Sequence, residues 1–152
     1  MKNKIHGSRV LIVGCGELGS RHLQAIVALP EIRCIEIIEP NEEAQQLARN
    51  RIQEVKDRQS PTIRWLSSMD QATKGGELCI VATRADIRCK LVREAAEKFQ
   101  YRSFLIEKIV SQSLSEYEDL MKFAYSKKVA IWVNCKTRAH FSHKHVKKHL
   151  DE

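Results

Sequence analysis

The sequence predicts a doubly wound α/β domain, a six-stranded parallel sheet between two layers of helices. Short apolar runs rich in Ile and Val alternate along the chain with longer stretches of helical period, the signature of repeated βαβ units. The runs show little in-out alternation, as expected for strands covered on both faces. The first run also passes directly into a glycine-rich turn and a helix, which marks the top of the first unit as a ligand site.

Taken in order, the predicted strands are Arg9–Val13, Cys34–Glu39, Thr62–Leu66, Leu78–Ala82, Ser103–Glu107 and Val129–Val133. Between them, helical spacing predicts Leu18–Leu29, Asn41–Lys56, a short turn over Met69–Thr73, Asp86–Phe99 and Leu114–Ser126. Asn41 followed by Glu42 is a good helix start, pairing a capping side chain with an acid in the first turn. Gly75-Gly76 breaks the chain before the fourth strand. In the last of these helices Leu114, Tyr117, Leu120, Met121 and Ala124 recur every three or four residues and predict one core-facing stripe. Ser113 and Ser115 compete for its cap, the latter with Glu118 in a capping box. A final basic helix is predicted over Arg138–Leu150.

A length of 152 residues accommodates one domain of ordinary size, here residues 1–135, followed by a basic tail over 136–152. With 43% hydrophobic and 30% charged residues the chain can bury a core without metals or disulfides. No apolar run approaches the roughly 18 residues of a spanning helix, and no signal-peptide core precedes the glycines, so the expected location is the cytoplasm. Five scattered cysteines without a C-x-x-C pair fit reduced thiols there. Of the net charge of +7, five charges lie beyond residue 126, so the body of the chain is nearly balanced. That argues against a nucleic-acid surface spread over the domain.

Val10-Leu11-Ile12-Val13-Gly14-Cys15-Gly16-Glu17-Leu18-Gly19 is a buried strand running into G-x-G-x-x-G and a helix. Gly14 permits the tight turn, Gly16 lets the backbone approach a pyrophosphate, and Gly19 lets the helix pack on the strand, as in a Rossmann fold. The helix N-terminus then directs its free N–H groups at the phosphates, with Cys15, Glu17 and Leu18 lining the loop. Glu39 lies twenty residues past Gly19, the separation at which an acid takes the adenosine ribose hydroxyls. A carboxylate there repels a 2′-phosphate and favours NAD over NADP; the alternative is a strand-end glutamate facing water. Arg49 and Arg51 lie too far along the second helix to read as phosphate ligands. No G-x-S-x-G elbow and no Walker lysine is present, which excludes an α/β-hydrolase triad and a P-loop.

The glycine motif continuing as Ser20-Arg21-His22-Leu23-Gln24-Ala25-Ile26, then Glu39-Pro40, Val81-Ala82-Thr83 and Glu107-Lys108, resembles the N-terminal half of the Gfo/Idh/MocA oxidoreductases over nearly the whole chain. The resemblance implies an NAD(P)-binding Rossmann domain of an enzyme acting on CH–OH groups of a sugar or sugar-nucleotide. The family's A-T-P-N-x-x-H stretch beside the nicotinamide reads Ala82-Thr83-Arg84-Ala85-Asp86-Ile87-Arg88 here, with Pro, Asn and His replaced. Its E-K-P stretch reads Glu107-Lys108-Ile109. The resemblance therefore implies Ala82, Thr83, Glu107 and Lys108 at the nicotinamide end, Lys108 as the catalytic candidate. The other reading of Lys108 is a salt bridge with Glu107 or a neighbouring helix.

In the family a second domain carries the substrate pocket, and here it is expected to be absent, Asn134-Cys135-Lys136-Thr137-Arg138 resembling the crossing point into it. Two expectations follow. The chain binds cofactor without turnover, and the face that would meet the second domain is apolar and exposed, to be covered by another copy or a complementary chain. A stand-alone NAD(H)-sensing module is the alternative. Binding of an anionic surface or nucleic acid through Lys136 to Lys148 is a third reading, weakened by Phe141 being the single aromatic there. His145 and His149 share a helix face at i, i+4, but no acid or cysteine joins them and lysines surround them, so no metal is expected. His22, on the first helix, is expected to pack or hydrogen-bond.

Overall fold

The computed structural model describes residues 8–56, 59–135 and 141–150. Six strands, β1 (Ser8–Val13), β2 (Ile32–Ile38), β3 (Thr62–Leu66), β4 (Leu78–Val81), β5 (Ser103–Glu107) and β6 (Ala130–Asn134), form one sheet in the order β3-β2-β1-β4-β5-β6. Every pairing is parallel. The helices are α1 (Gly19–Val27), α2 (Glu42–Gln53), α3 (Ala85–Glu97), α4 (Leu114–Lys127) and α5 (Phe141–Leu150), with a 3₁₀ turn at Met69–Gln71. The predicted order of elements holds throughout, with ends displaced by at most three residues, as fraying and capping make usual.

Strand pleating divides the apolar residues between two cores. On one side Val10 and Ile12 of β1 and Ile35 and Ile37 of β2 pack under Leu23, Ile26 and Val27 of α1 and Ala48 and Ile52 of α2. On the other, Leu11 and Val13 join Val81, Phe104 and Ile106 under Val92 and Ala96 of α3 and Leu120 and Phe123 of α4. The crossovers through α1 and α2, which link β1, β2 and β3, thus lie on one face, and those through α3 and α4, which link β4, β5 and β6, on the other. The chain reverses direction across the sheet between β1 and β4, which opens a crevice at their C-terminal ends.

Two local expectations are corrected and one open choice is decided. The buried stripe of α4 is Leu120, Phe123 and Ala124, whereas Leu114, Tyr117 and Met121 are exposed; helical period finds apolar positions but not which of two adjoining arcs the sheet covers. Ser113 caps α4, its hydroxyl accepting the Glu116 N–H at 3.2 Å, so the Ser115 capping box does not form. The edge strand β6 is not covered on both faces: Trp132 and Val133 are exposed. Asn41 does cap α2, its side chain accepting the Ala44 N–H at 2.9 Å.

A buried acid in the sheet is fully engaged. Glu36 of β2 is inaccessible to solvent and takes the Thr73 N–H at 2.9 Å, the Thr73 hydroxyl at 2.6 Å and the Arg64 guanidinium. These contacts tie the loop after the 3₁₀ turn to the sheet.

Candidate cofactor-binding site

The loop between β1 and α1 owes its shape to glycine at two of its three motif positions. Gly14 has φ +83°, a left-handed conformation that side chains disfavour, and its N–H donates to the Ile38 carbonyl at 2.9 Å. A Cβ on Gly19 would stand 2.0 Å from the Gly14 carbonyl oxygen, so α1 can approach β1 this closely only without one. At Gly16 a Cβ would meet nothing within 4 Å. Among the described residues no packing requires that glycine, and its open side lets a ligand's phosphates reach the backbone. No side chain caps α1 and no acid lies in its first turn, which leaves its positive end available to an anion.

Glu39 closes the loop from the end of β2. Its carboxylate accepts the Cys15 N–H at 2.7 Å and the Asn41 N–H at 3.0 Å, and the residue is only 8% exposed. It does not simply face water, and each oxygen retains a lone pair for a further donor. Burial, reinforced by the Glu39 charge and partly opposed by Arg51, pushes the Cys15 thiol up to about 12. Cys15 is a core residue whose backbone, not its sulfur, serves the site.

Arg51 reaches this loop from the far turn of α2, as a brace within the protein that its position in the sequence did not suggest. Its guanidinium donates to the Glu17 carbonyl at 2.8 Å, the Glu17 carboxylate at 2.5 Å and the Ser20 hydroxyl at 2.6 Å. Ser20 in turn donates to the Gly16 carbonyl at 2.6 Å. Arg51 therefore neutralises the acid at the mouth of the loop and holds the Gly16 peptide through Ser20. Arg49 turns away and stacks over Trp65, 4.2 Å from the ring centroid.

A second group assembles at the ends of β4, β5 and β6. Glu107, 4% exposed, accepts from Asn134 Nδ2 at 2.6 Å and lies 2.7 Å from His22 Nε2 on α1. Burial opposes its ionisation, but hydrogen bonds from Asn134 and His22, the His22 charge and the Lys108 N–H outweigh that and hold its carboxyl below the ordinary value. Arg88, at the start of α3, is 3% exposed and donates to the Glu107 carbonyl at 2.6 Å and to the carbonyls of Thr83 and Ile109. Lys108 is exposed at the rim of the crevice. The side chain within hydrogen-bonding distance of the Glu107 carboxylate from α1 is His22, and among the described residues no ion pair joins Glu107 to the Lys108 side chain. Thr83 and Ala82 line the opposite side, Thr83 against Gly14 and Ala82 against Gly19.

The site residues read from the sequence thus gather at the C-terminal ends of the strands, with Glu39, Ala82 and Thr83 against the loop from Gly14 to Gly19, and with Glu107 and Lys108 beyond them at the end of β5. Sequence reasoning missed the bracing roles of Arg51, Arg88 and Asn134. The replacement of the family's histidine by Arg88 was the one available signal. Among the described residues no group of three His, Cys, Asp or Glu side chains could hold a metal, and His149 Nδ1 lies 3.0 Å from the His145 carbonyl. His140 lies outside the described residues.

A parallel sheet with its crossover reversal between β1 and β4, and a glycine loop at that point, define a dinucleotide-binding Rossmann domain. Residues 8–135 match the Gfo/Idh/MocA family, described as an oxidoreductase family with an NAD-binding Rossmann fold, and the chain belongs to it. The fold resembles that of the WlbA dehydrogenase from Bordetella pertussis, solved with NADH and UDP-GlcNAcA, at TM-score 0.75 and 22% identity over 96% of this chain and 42% of that one. It also resembles myo-inositol 2-dehydrogenase from Lactobacillus plantarum, at TM-score 0.73 and 16% identity over 95% and 41%. Scyllo-inositol dehydrogenase from Lactobacillus casei, solved with NAD(H) and scyllo-inositol, gives TM-score 0.69 and 12% identity over 95% and 41%. A comparison with curated proteins gave no match. The chain spans about two fifths of the length of these solved relatives. Among the described residues no helix is long and apolar enough to cross a membrane.

Proposed function

We propose that this chain binds NAD in preference to NADP and forms the cofactor half of an oxidoreductase acting on a sugar or sugar-nucleotide, binding the dinucleotide without turnover on its own. The observation that carries the cofactor choice is Glu39, buried and fixed by the Cys15 and Asn41 amides where the adenosine ribose would lie. A carboxylate held there offers its remaining lone pairs to two ribose hydroxyls and repels a 2′-phosphate. The sugar class is supported by the inositol and UDP-sugar ligands named for proteins of like fold.

The residues fit the cofactor. Gly14 to Gly19 and the end of α1 would hold the pyrophosphate, Glu39 the adenosine ribose, and Thr83, Glu107 and Lys108 the nicotinamide end. When bound, the nicotinamide supplies the hydride acceptor or donor. Among the described residues Lys108 is the candidate to exchange a proton with a substrate hydroxyl, in a substrate pocket that a further domain or chain would complete. Exposed Ile109, Leu114, Tyr117 and Trp132 form apolar surface suited to such a domain, a second copy or a complementary chain. The cytosol is the compartment that reduced cysteines favour.

Titration of the purified chain with NADH and NADPH, beside a Gly16→Val variant, tests this. Saturable NADH binding, weaker by about tenfold or more for NADPH and lost in a variant that remains folded, is the expected result. Equal affinity for both cofactors removes the NAD assignment, and no binding of either removes the cofactor reading.

A further inference from the structure

We infer that Arg88 is a positioning residue for the nicotinamide half of the site, tying the two loops that bracket it into one rigid unit. This rests on the cofactor reading above. The Arg88 side chain does not enter the crevice as a ligand. It runs beneath it, with Nη2 on the Thr83 carbonyl after β4 and Nη1 on the carbonyls of Glu107 and Ile109 after β5. Those last two carbonyls belong to the residues on either side of Lys108.

Lys108 is thereby held from two directions. Arg88 restrains the Glu107–Lys108 peptide and the Ile109 carbonyl one residue further on, while the Lys108 N–H interacts with the Glu107 carboxylate, which Asn134 and His22 fix in turn. An exposed lysine has a long flexible stem, so a rigid backbone is the main means of aiming its ammonium. Packing alone would not require this arrangement. Burying a guanidinium is costly, burial itself works against its charge, and Arg88 Nε has no partner among the described residues. A Met of similar length would fill the space without that cost. What Met cannot do is fork to three carbonyls on two loops.

The consequence is separable from cofactor binding as a whole, because among the described residues the hydrogen bonds of Arg88 go to Thr83, Glu107 and Ile109 and not to the glycine loop or Glu39. The test compares ADP-ribose, which lacks nicotinamide, with NADH on the wild-type chain and on Arg88→Met and Arg88→Lys, by calorimetry and by the emission of bound NADH. Thermal melts check folding. Expected is ADP-ribose affinity within about twofold in both variants, with NADH about tenfold weaker and its emission enhancement reduced in Arg88→Met, and a smaller loss in Arg88→Lys. Arg88→Lys keeps the charge and decides the matter if Arg88→Met fails to fold. Equal weakening of both ligands, or no change in either, overturns the inference while leaving the cofactor reading intact. Failure of the wild-type chain to bind either ligand overturns both.

Discussion

The Glu39 carboxylate takes the Cys15 N–H at 2.7 Å, so the acid at the end of β2 is also a structural member of the glycine loop. Replacing it should therefore have two separable effects. Glu39→Ala strands two amide donors and is expected to cost about 1–3 kcal/mol of stability, and it should also narrow the gap between NADH and NADPH. Urea unfolding and paired titrations read these independently. A fall in stability with an unchanged NADH to NADPH ratio would show that Glu39 only braces the loop.

Gly16 and Gly19 should respond in opposite ways to alanine. At Gly19 the new methyl falls on a backbone oxygen that cannot retreat, and a loss of roughly 3 kcal/mol or outright misfolding is expected, at or beyond the upper end for overpacking. At Gly16 the methyl enters open space, so thermal stability should hold while NADH binding weakens. Destabilisation by Gly16→Ala comparable to that by Gly19→Ala would mean that the open side of Gly16 is filled in the folded chain.

Acid stability should depend on Glu107. Its folded pKa is lowered from 4.5, so the stability it contributes is complete above that value and is lost as pH falls through the depressed folded one. Glu107→Gln should be less stable at pH 7, by about 1–3 kcal/mol, and should lose less on acidification. Denaturant titrations from pH 7 down to about 3 measure both curves. Parallel curves for the two proteins would assign the acid sensitivity elsewhere.

Thiol chemistry reports which cysteines are core. Cys15, Cys79 and Cys89 are buried, and burial raises the pKa of all three. Alkylation by iodoacetamide near pH 8, read by mass spectrometry, should modify Cys34 and Cys135 first, with the buried three reacting after denaturation. Early modification of Cys15 would show that the glycine loop opens in solution.

Much of this was readable in advance because it is local. The Ile- and Val-rich runs of β1, β2 and β4 mark the inner strands of the sheet, and Gly14, Gly16 and Gly19 lie within six residues of one another. The bracing groups were not readable, because each depends on contacts across the fold: Arg51 with Glu17 over 34 residues, His22 with Glu107 over 85. An arginine on a helix carries no mark of the carbonyl it will meet. The stripe on α4 failed for a related reason, since Leu114 and Leu120 are equally apolar and only the position of the sheet distinguishes them.

Strand β1 contributes Val10 and Ile12 to one core and Leu11 and Val13 to the other, all four almost inaccessible to solvent. The glycine loop therefore springs from an anchorage gripped from above and below. Such a loop arrives at its ligand already ordered. Little conformational freedom remains to be surrendered on association, so affinity in this domain is governed by the contacts made rather than by the entropy of shaping the receptor.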